Sequence, residues 1–281
     1  MNEPIVRNSP AKINLILRVL GKRTDGYHEL ASLMQRVSLC DEMTFVSRRT
    51  GIVLHCPGCK LPTNEENIVF RAAKMFFNYI RWQGGIEITV RKKIPLAAGL
   101  GGGSSNAATT LMVLNEITRA GLSKETLMKL GLKLGADVPF FIFEKTAWAF
   151  GVGERLREAN EIPAPWFLLV NPGFEIPTRA VYEGLKYGLT NEPIQYNIPR
   201  LQTVFQIAGG LHNDLETVSE KICPAVKEIK NRMRARGSLG SLMSGSGPTV
   251  FGIFENKAAA ENAESEFEKD NFPFLCSAHA L

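Results

Sequence analysis

The chain has 281 residues, which is enough for about two domains, and its hydrophobic share of 44% and charged share of 22% are typical of a globular enzyme. The net charge of +5 favours an anionic ligand, but the basic residues are scattered, so no nucleic-acid partner is expected. No apolar run approaches the roughly 18 to 20 residues of a membrane span, and the first residues lack a signal-peptide pattern. We therefore expect a cytoplasmic protein without a membrane partner.

The five cysteines are expected to remain thiols in a reducing compartment. Cys56 and Cys59 form a C-x-x-C motif beside His55, which is compatible with a zinc site. No second C-x-x-C or H-x-x-H motif follows. A pair of loop thiols without a ligand is the favoured interpretation.

The first part of the chain reads as a strand from Arg7 to Leu20. Alternation of apolar and polar residues predicts that Lys12 and Asn14 project from the same side of this strand. A lysine in such a place is either part of a solvated face or held near a site, and the local pattern alone leaves both open.

A turn follows at Asp25 and Gly26, because Asp-Gly is a strong hairpin signal. Tyr27 and His28 come directly after it and offer a stacking face and a hydrogen-bonding ring. These two residues are either hairpin decoration or part of a binding site.

The next predicted elements alternate between strands and helices. Strands are predicted over 34–46, 51–55 and 86–92, a helix begins at residues 64–67, a second follows residue 106 and ends at Gly121, and a third begins at Ser123 and ends at Gly135.

The most informative stretch is PLAAGLGGGSSNAA, from Pro95 to Ala108. Its glycines allow positive φ angles and close approach of a ligand to the backbone. Ser104, Ser105 and Asn106 are predicted to lie where the following helix is capped. The free N–H groups of a helix start attract anions, so this stretch predicts a phosphate site.

Two common phosphate motifs do not fit this stretch. A P-loop requires a lysine, and no lysine lies between Ile94 and Leu122. A dinucleotide-binding turn requires glycines at its first, third and sixth positions. If the motif began at Gly99, its sixth residue would be Ser104, and if it began at Gly101, its sixth residue would be Asn106, so neither start fits. A flexible linker is disfavoured because Leu96 and Leu100 are expected to pack against the protein.

The segment GADVPFF places Asp137 between a helix end and an apolar run. The run from Val138 to Phe143 has the length of a buried strand, and Pro139 is expected to prevent a new helix. Asp137 is then either a local cap or a functional carboxylate, and its apolar neighbours favour function.

The polar segment 158–165 is taken as the domain boundary. Along the chain, strands and helices are interspersed without the regular alternation of a doubly wound sheet, which indicates an α+β protein. In the remaining sequence, a strand and turn are predicted over 148–155, and strands over 166–170, 250–254 and 272–280. Helices are predicted over 178–187, 214–233 and 258–267, a polar connection over 188–199, and a Gly/Ser turn over 241–249.

Three motifs in this order resemble those of the GHMP kinases: SPAKINL at Ser9–Leu15, the glycine stretch at Pro95–Ala108, and SGSGPT at Ser244–Thr249. The resemblance covers nearly the whole chain. It implies a two-domain α+β fold, with an N-terminal ATP-binding domain like the second domain of ribosomal protein S5 at residues 1–160 and a ferredoxin-like C-terminal domain at 161–281. It also implies phosphoryl transfer from ATP, with Mg²⁺, to an alcohol.

Within the GHMP kinases, GYHEL, GGGSS and GADVPFF resemble the members that phosphorylate the 2-hydroxyl of a cytidine diphosphate sugar alcohol in isoprenoid synthesis. The resemblance implies Lys12 and Asp137 as the catalytic pair. It implies substrate contacts for Asn14, Tyr27, His28, Lys145 and Tyr182, with cytosine between the two tyrosines. ATP contacts are implied for Pro95, Leu96, Ala97, Ala98, Gly99, Leu100, Gly101, Gly102, Gly103, Ser104 and Ser105.

The resemblance does not identify the magnesium ligands of this chain. Some GHMP kinases hold magnesium with a loop serine and a glutamate, and no glutamate partner is evident here, so Ser104 or Ser105 is only a candidate. The alternatives are a GHMP kinase for homoserine or mevalonate and a non-catalytic nucleotide-binding regulator. The sequence does not give the oligomeric state.

Overall fold

A computed structural model describes residues 3–160, 162–185 and 196–281. Strands and helices are mixed along the chain, which confirms the α+β class. The strands are β1 (Ile5–Lys22), β2 (His28–Arg48), β3 (Gly51–His55), β4 (Gly85–Arg91), β5 (Ala147–Gly151), β6 (Arg155–Glu158), β7 (Trp166–Asn171), β8 (His212–Asn213), β9 (Gly240–Met243), β10 (Val250–Phe254) and β11 (Phe274–His279). The helices are α1 (Ile68–Ile80), α2 (Gly102–Thr118), α3 (Lys124–Leu132), α4 (Val138–Phe143), α5 (Thr178–Glu183), α6 (Val204–Gly210), α7 (Glu216–Ile222), α8 (Ala225–Ala235) and α9 (Lys257–Glu268).

The chain forms two compact units that interleave along the sequence. Unit 1 comprises residues 1–11, 39–96 and 101–144, and unit 2 comprises residues 12–38, 97–100 and 145–281. The strands β1 and β2 contribute residues to both units. The division into consecutive domains at residue 160 stays a prediction.

Unit 1 packs helices against a small sheet. In this unit β4 pairs with β3 in parallel and with β2 in antiparallel orientation. Because parallel neighbours need a crossover, α1 connects β3 to β4. The side chain of Asn67 caps α1 by accepting a hydrogen bond from the Val69 amide. Ala72 and Phe76 belong to the buried apolar face of this helix.

Unit 2 contains a four-stranded antiparallel sheet in the order β11-β7-β10-β9. Its strand β10 is wholly buried and apolar, which is typical of a central strand covered on both faces. Met233 of α8 and Phe267 of α9 belong to the core at this sheet. Elsewhere in unit 2, β5 pairs with β2 and β6, and β8 pairs in parallel with β1.

Two predicted elements were wrong in type or extent, and some elements were not predicted. The run Val138–Phe143 is the helix α4 and not a strand, because Pro139 lies in its first turn, where no amide donor is needed. A short, wholly apolar run has no periodicity that separates a helix from a strand. The helix predicted over 214–233 is divided into α7 and α8 by Cys223 and Pro224, and α6 and β8 were not predicted.

Other predictions agree more closely with the structure. The turn at Asp25 and Gly26 connects β1 to β2, and strands are present close to the other predicted ranges. The helix predicted over 178–187 ends at Glu183, and residues 186–187 and most of the polar connection 188–199 lie outside the described residues. Among the helices that the structure describes, none has the length and apolar character needed to cross a membrane.

Candidate active site

The glycine stretch opens α2 through its backbone. Gly101 is the N-cap with φ of 69°, and the Ser105 amide donates to its carbonyl at 2.9 Å. The prediction that Ser104, Ser105 and Asn106 cap the helix was therefore wrong, since all three lie inside it. The first-turn amides, from Gly102 to Ser104, have no acceptor within the helix and lie at the positive end of its dipole.

The preceding residues of the stretch, 97–100, lie in unit 2 against the second Gly/Ser turn. Gly99 has φ of 76°, and a Cβ added to it would lie 2.1 Å from the carbonyl oxygen of Ser244. The Ser244 hydroxyl donates to the Gly99 carbonyl at 2.9 Å. Leu100 is buried as expected, whereas Leu96 is 43% exposed and does not anchor the stretch.

The second Gly/Ser turn, residues 244–249, is itself held by side chains from other elements. The Asn213 amide donates to the carbonyls of Met243 and Gly245, each at 2.8 Å. The Ser219 hydroxyl donates to the Ser246 carbonyl at 3.1 Å. Asn213 and Ser219 were missed in the sequence because no local pattern links them to a turn so far along the chain.

Lys12 and Asn14 lie side by side on β1, as the strand alternation predicts. Both side chains are almost completely buried, and Lys12 Nζ donates to Asn14 Oδ1 at 2.6 Å. The backbone amide of Lys12 donates to the carbonyl of Leu100 at 2.9 Å, so this strand contacts the glycine stretch within unit 2. The interpretation of Lys12 as part of a solvated face is excluded by its burial.

Asp137 lies in unit 1, immediately before α4. It occupies the N-cap position, but its carboxylate makes no capping hydrogen bond, which argues against a role as a local cap. A Cβ added to Gly135 would lie 3.8 Å from Ser104 Oγ, so this segment adjoins the start of α2. Lys12 belongs to unit 2, and the convergence of Lys12 and Asp137 on one alcohol stays a prediction.

Two aromatic rings of the expected substrate side pack against each other. The rings of His28 and Tyr182 lie 5.0 Å apart with an interplanar angle of 31°. Tyr27 is 64% exposed. Burial lowers the pKa of His28 below 6.5, and the charge of Lys22 lowers it further, so its ring is neutral at neutral pH. Stacking of cytosine between Tyr27 and Tyr182 stays a prediction.

Lys145 is exposed and pairs with Glu158 at 2.6 Å, so its substrate contact also stays a prediction.

Around the C-x-x-C motif, the Cys59 thiol donates to the Cys56 carbonyl at 3.3 Å, and burial raises the pKa of Cys56 to about 11. In the part of the chain that the structure describes, no three His, Cys, Asp or Glu side chains form a group that could hold a metal ion. The motif therefore gains no support as a zinc site.

Comparison with known proteins identifies the family. The model of the GHMP kinases N terminal domain matches residues 67–145, and that of the GHMP kinases C terminal domain matches residues 196–273. The 4-diphosphocytidyl-2-C-methyl-D-erythritol kinase of Syntrophus aciditrophicus is 58% identical over 261 residues, which cover 93% of this chain and 94% of that protein. The chain belongs to the GHMP kinases.

A second relative of this GHMP kinase bears the same name. The 4-diphosphocytidyl-2-C-methyl-D-erythritol kinase of Syntrophotalea carbinolica is 50% identical and covers 92% of this chain and 93% of its own length. A solved structure of 4-(cytidine 5'-diphospho)-2C-methyl-D-erythritol kinase is 35% identical, with a TM-score of 0.82 and coverage of 98% and 99%. A homoserine kinase from Cytophaga hutchinsonii is 18% identical with a TM-score of 0.76, covering 100% of this chain and 95% of its own, and shows the shared fold alone. The expected GHMP kinase fold is confirmed.

Proposed function

We propose that this GHMP kinase transfers a phosphoryl group from ATP to the 2-hydroxyl of 4-diphosphocytidyl-2-C-methyl-D-erythritol, in the non-mevalonate route to isoprenoids. The observation that carries the proposal is the 58% identity, over nearly the full length of both chains, to a kinase of that name. The expected cytoplasmic location stays a prediction.

The ATP side of the reaction is assigned to the glycine stretch, residues 95–105. The amides of Gly102, Gly103 and Ser104 lie at the start of α2 and are suited to the triphosphate. Gly99 lets residues 97–100 pack against the turn that contains Ser244 within unit 2. The backbone thus provides donors before ATP arrives, and little reorganisation is needed on binding.

Lys12 and Asp137 are assigned to the transfer itself. Phosphoryl transfer passes through a loose transition state, so catalysis depends on positioning and charge stabilisation more than on a strong base. The ammonium of Lys12 would stabilise negative charge on the attacking alcohol oxygen. The carboxylate of Asp137 would orient the hydroxyl and accept its proton late in the transfer.

A magnesium ion bound with ATP would supply positive charge that neutralises the phosphate oxygens, and such an ion usually takes few ligands from the protein. The described residues contain no group of three His, Cys, Asp or Glu side chains that could hold a metal ion, which is compatible with an ion of this kind. Ser104, in the first turn of α2, would hold it through its hydroxyl. Ser105 is the weaker candidate because it is fully buried and its hydroxyl accepts a hydrogen bond from Ser9 at 2.8 Å.

The acceptor side is assigned to Asn14, Tyr27, His28, Lys145 and Tyr182. A neutral imidazole can both donate and accept a hydrogen bond, which suits the edge of a cytosine ring. The exposed ring of Tyr27 and the ring pair of His28 with Tyr182 offer stacking faces for the base. A substrate without a nucleobase would not need these rings.

The proposal is tested by supplying ATP and Mg²⁺ with one of three acceptors and following ADP release and the phosphorylated product. We expect turnover with 4-diphosphocytidyl-2-C-methyl-D-erythritol and none with homoserine or mevalonate. Turnover of only homoserine or mevalonate would replace this assignment with another GHMP kinase activity. Nucleotide binding without turnover of any acceptor would indicate the regulator, which is disfavoured because Lys12 and Asp137 are both present.

A further inference from the structure

A buried carboxylate that the mechanism does not use lies on β2 in unit 1. The side chain of Asp41 is fully buried. Its Oδ1 accepts hydrogen bonds from the backbone amides of Lys93 at 2.8 Å and Ile94 at 2.9 Å. Its Oδ2 accepts one from the side-chain Nδ2 of Asn106 at 3.0 Å and forms an ion pair with Lys92. These donors compensate for the loss of water around the charge.

The network continues from Asp41 into the start of α2. Lys92 Nζ donates to Asn106 Oδ1 at 3.2 Å, and Asn106 Nδ2 also donates to Ser9 Oγ at 2.9 Å. Ser9 Oγ in turn donates to Ser105 Oγ at 2.8 Å. Strand β1, strand β2 and the exit of β4 therefore all hold the first two turns of α2 through buried polar groups.

The ion pair also lies directly against the residue that begins this helix. A Cβ added to Gly102 would lie 3.1 Å from Lys92 Nζ and 3.0 Å from Ile94 Cγ2. Both neighbours are fixed by Asp41, one through its ammonium and one through its backbone amide. A shift of Asp41 would consequently move the packing surface under the first free amides of α2.

We propose that Asp41 is a positioning residue for the triphosphate. By holding Lys92, Ile94 and Asn106, Asp41 sets the position and rotation of the first turn of α2. It thereby sets the direction in which the free backbone amides of that turn point. It acts through these residues and not by contact with a substrate. The inference rests on the proposed function, in which those amides bind ATP.

The decisive variant is Asp41→Asn, which keeps the shape and the Oδ1 acceptor but removes the charge that faces Lys92. It also turns an amide donor toward the amide donor of Asn106. We expect the Kd for a non-hydrolysable ATP analogue, measured by calorimetry without acceptor, to rise about tenfold or more. The KM of the alcohol acceptor at saturating ATP should change less than about threefold.

A matched control separates positioning from general stability. Asp270 in unit 2 is a largely buried carboxylate that pairs with Arg232 at 2.8 Å and Arg236 at 3.1 Å. Asp270→Asn should lower the midpoint of urea unfolding and leave the Kd for the ATP analogue unchanged. An equal weakening of ATP binding in this control would overturn the proposal, as would wild-type ATP affinity in Asp41→Asn.

If Asp41→Asn does not fold, Ser9→Ala decides the matter. This variant removes the hydroxyl that joins Asn106 to Ser105 and leaves the ion pair intact. We expect its Kd for the ATP analogue to rise about threefold, and an unchanged value would overturn the proposal. Failure of the wild-type protein to phosphorylate the cytidine substrate, with these binding results intact, would refute the proposed function and not the role of Asp41.

Discussion

The ammonium nitrogen of Lys12 donates a hydrogen bond to Oδ1 of Asn14 at 2.6 Å, two positions further along β1. Asn14 donates in turn to the hydroxyl of Ser32 at 2.8 Å, and Ser32 donates to the carbonyl of Ile16 at 2.8 Å. This chain of hydrogen bonds fixes the position of a buried amine, which is what charge stabilisation at a reacting oxygen requires.

Replacing Lys12 by methionine should abolish most of the phosphoryl transfer. Methionine retains much of the packing volume but has no charge, so we expect kcat to fall about 100-fold or more. Steady-state ADP release measures the effect, and far-ultraviolet circular dichroism checks the fold. Lys22→Met, at the exposed end of the same strand, is the control and should keep wild-type kcat.

Replacing Asp137 by asparagine should separate catalysis from nucleotide binding. The amide cannot accept the proton of the alcohol, so we expect kcat to fall about 100-fold or more, with ATP affinity within about threefold of wild type. Glu144→Gln, just beyond the other end of α4, serves as the control for a lost carboxylate. Unchanged activity in Asp137→Asn would return Asp137 to a structural role.

Two glycine substitutions should differ sharply in stability. In Gly99→Ala the new Cβ would meet the Ser244 carbonyl at 2.1 Å, and φ of 76° is unfavourable for alanine. We expect a loss of about 1–3 kcal/mol in the free energy of unfolding. In Gly103→Ala the nearest atom is Ile68 Cγ2 at 3.7 Å, and helix formation should improve stability by about 0.5–1 kcal/mol. Urea denaturation measures both values, and equal effects would contradict the observed packing of Gly99.

The lowered pKa of His28 predicts how this residue affects stability across the acidic range. Since burial disfavours the charged ring, the unfolded chain, with a pKa of 6.5, takes up the proton more readily than the folded protein. The contribution of the neutral His28 ring to stability is therefore complete above pH 6.5, and it is lost as the pH falls from 6.5 towards the pKa of His28 in the folded protein. An NMR titration should give a pKa below 6.5, and His28→Gln should lose less stability than wild type over the same interval. A titration at or above 6.5 would contradict the assignment.

Much of the fold could be predicted where the signals are local. Asn67 caps α1 and Ser123 caps α3, each beside the residues that it serves. The break at Cys223 and Pro224 was not predicted, and α4 was predicted to be a strand. Both errors concern a proline, which disrupts a helix interior but is well tolerated in the first turn of a helix.

The site was predicted in part for the same reason. The proximity of Lys12 and Asn14 follows from the period of a strand. The capping role of Gly101 was missed, because a glycine N-cap leaves no side-chain signal and serines inside the first turn resemble a cap in sequence.

The sequence by itself determined the strands and helices with strong periodicity, the glycine stretch that opens α2, and the motifs of the GHMP kinases. These features depend on residues within a few positions of one another. Only the tertiary structure decided that Ser244 packs against Gly99, that Tyr182 pairs with His28, and that Asp41 holds Lys92 and Asn106. Such contacts join residues far apart in the chain, and they depend on which buried surfaces pack together, a property that local propensity and spacing do not encode.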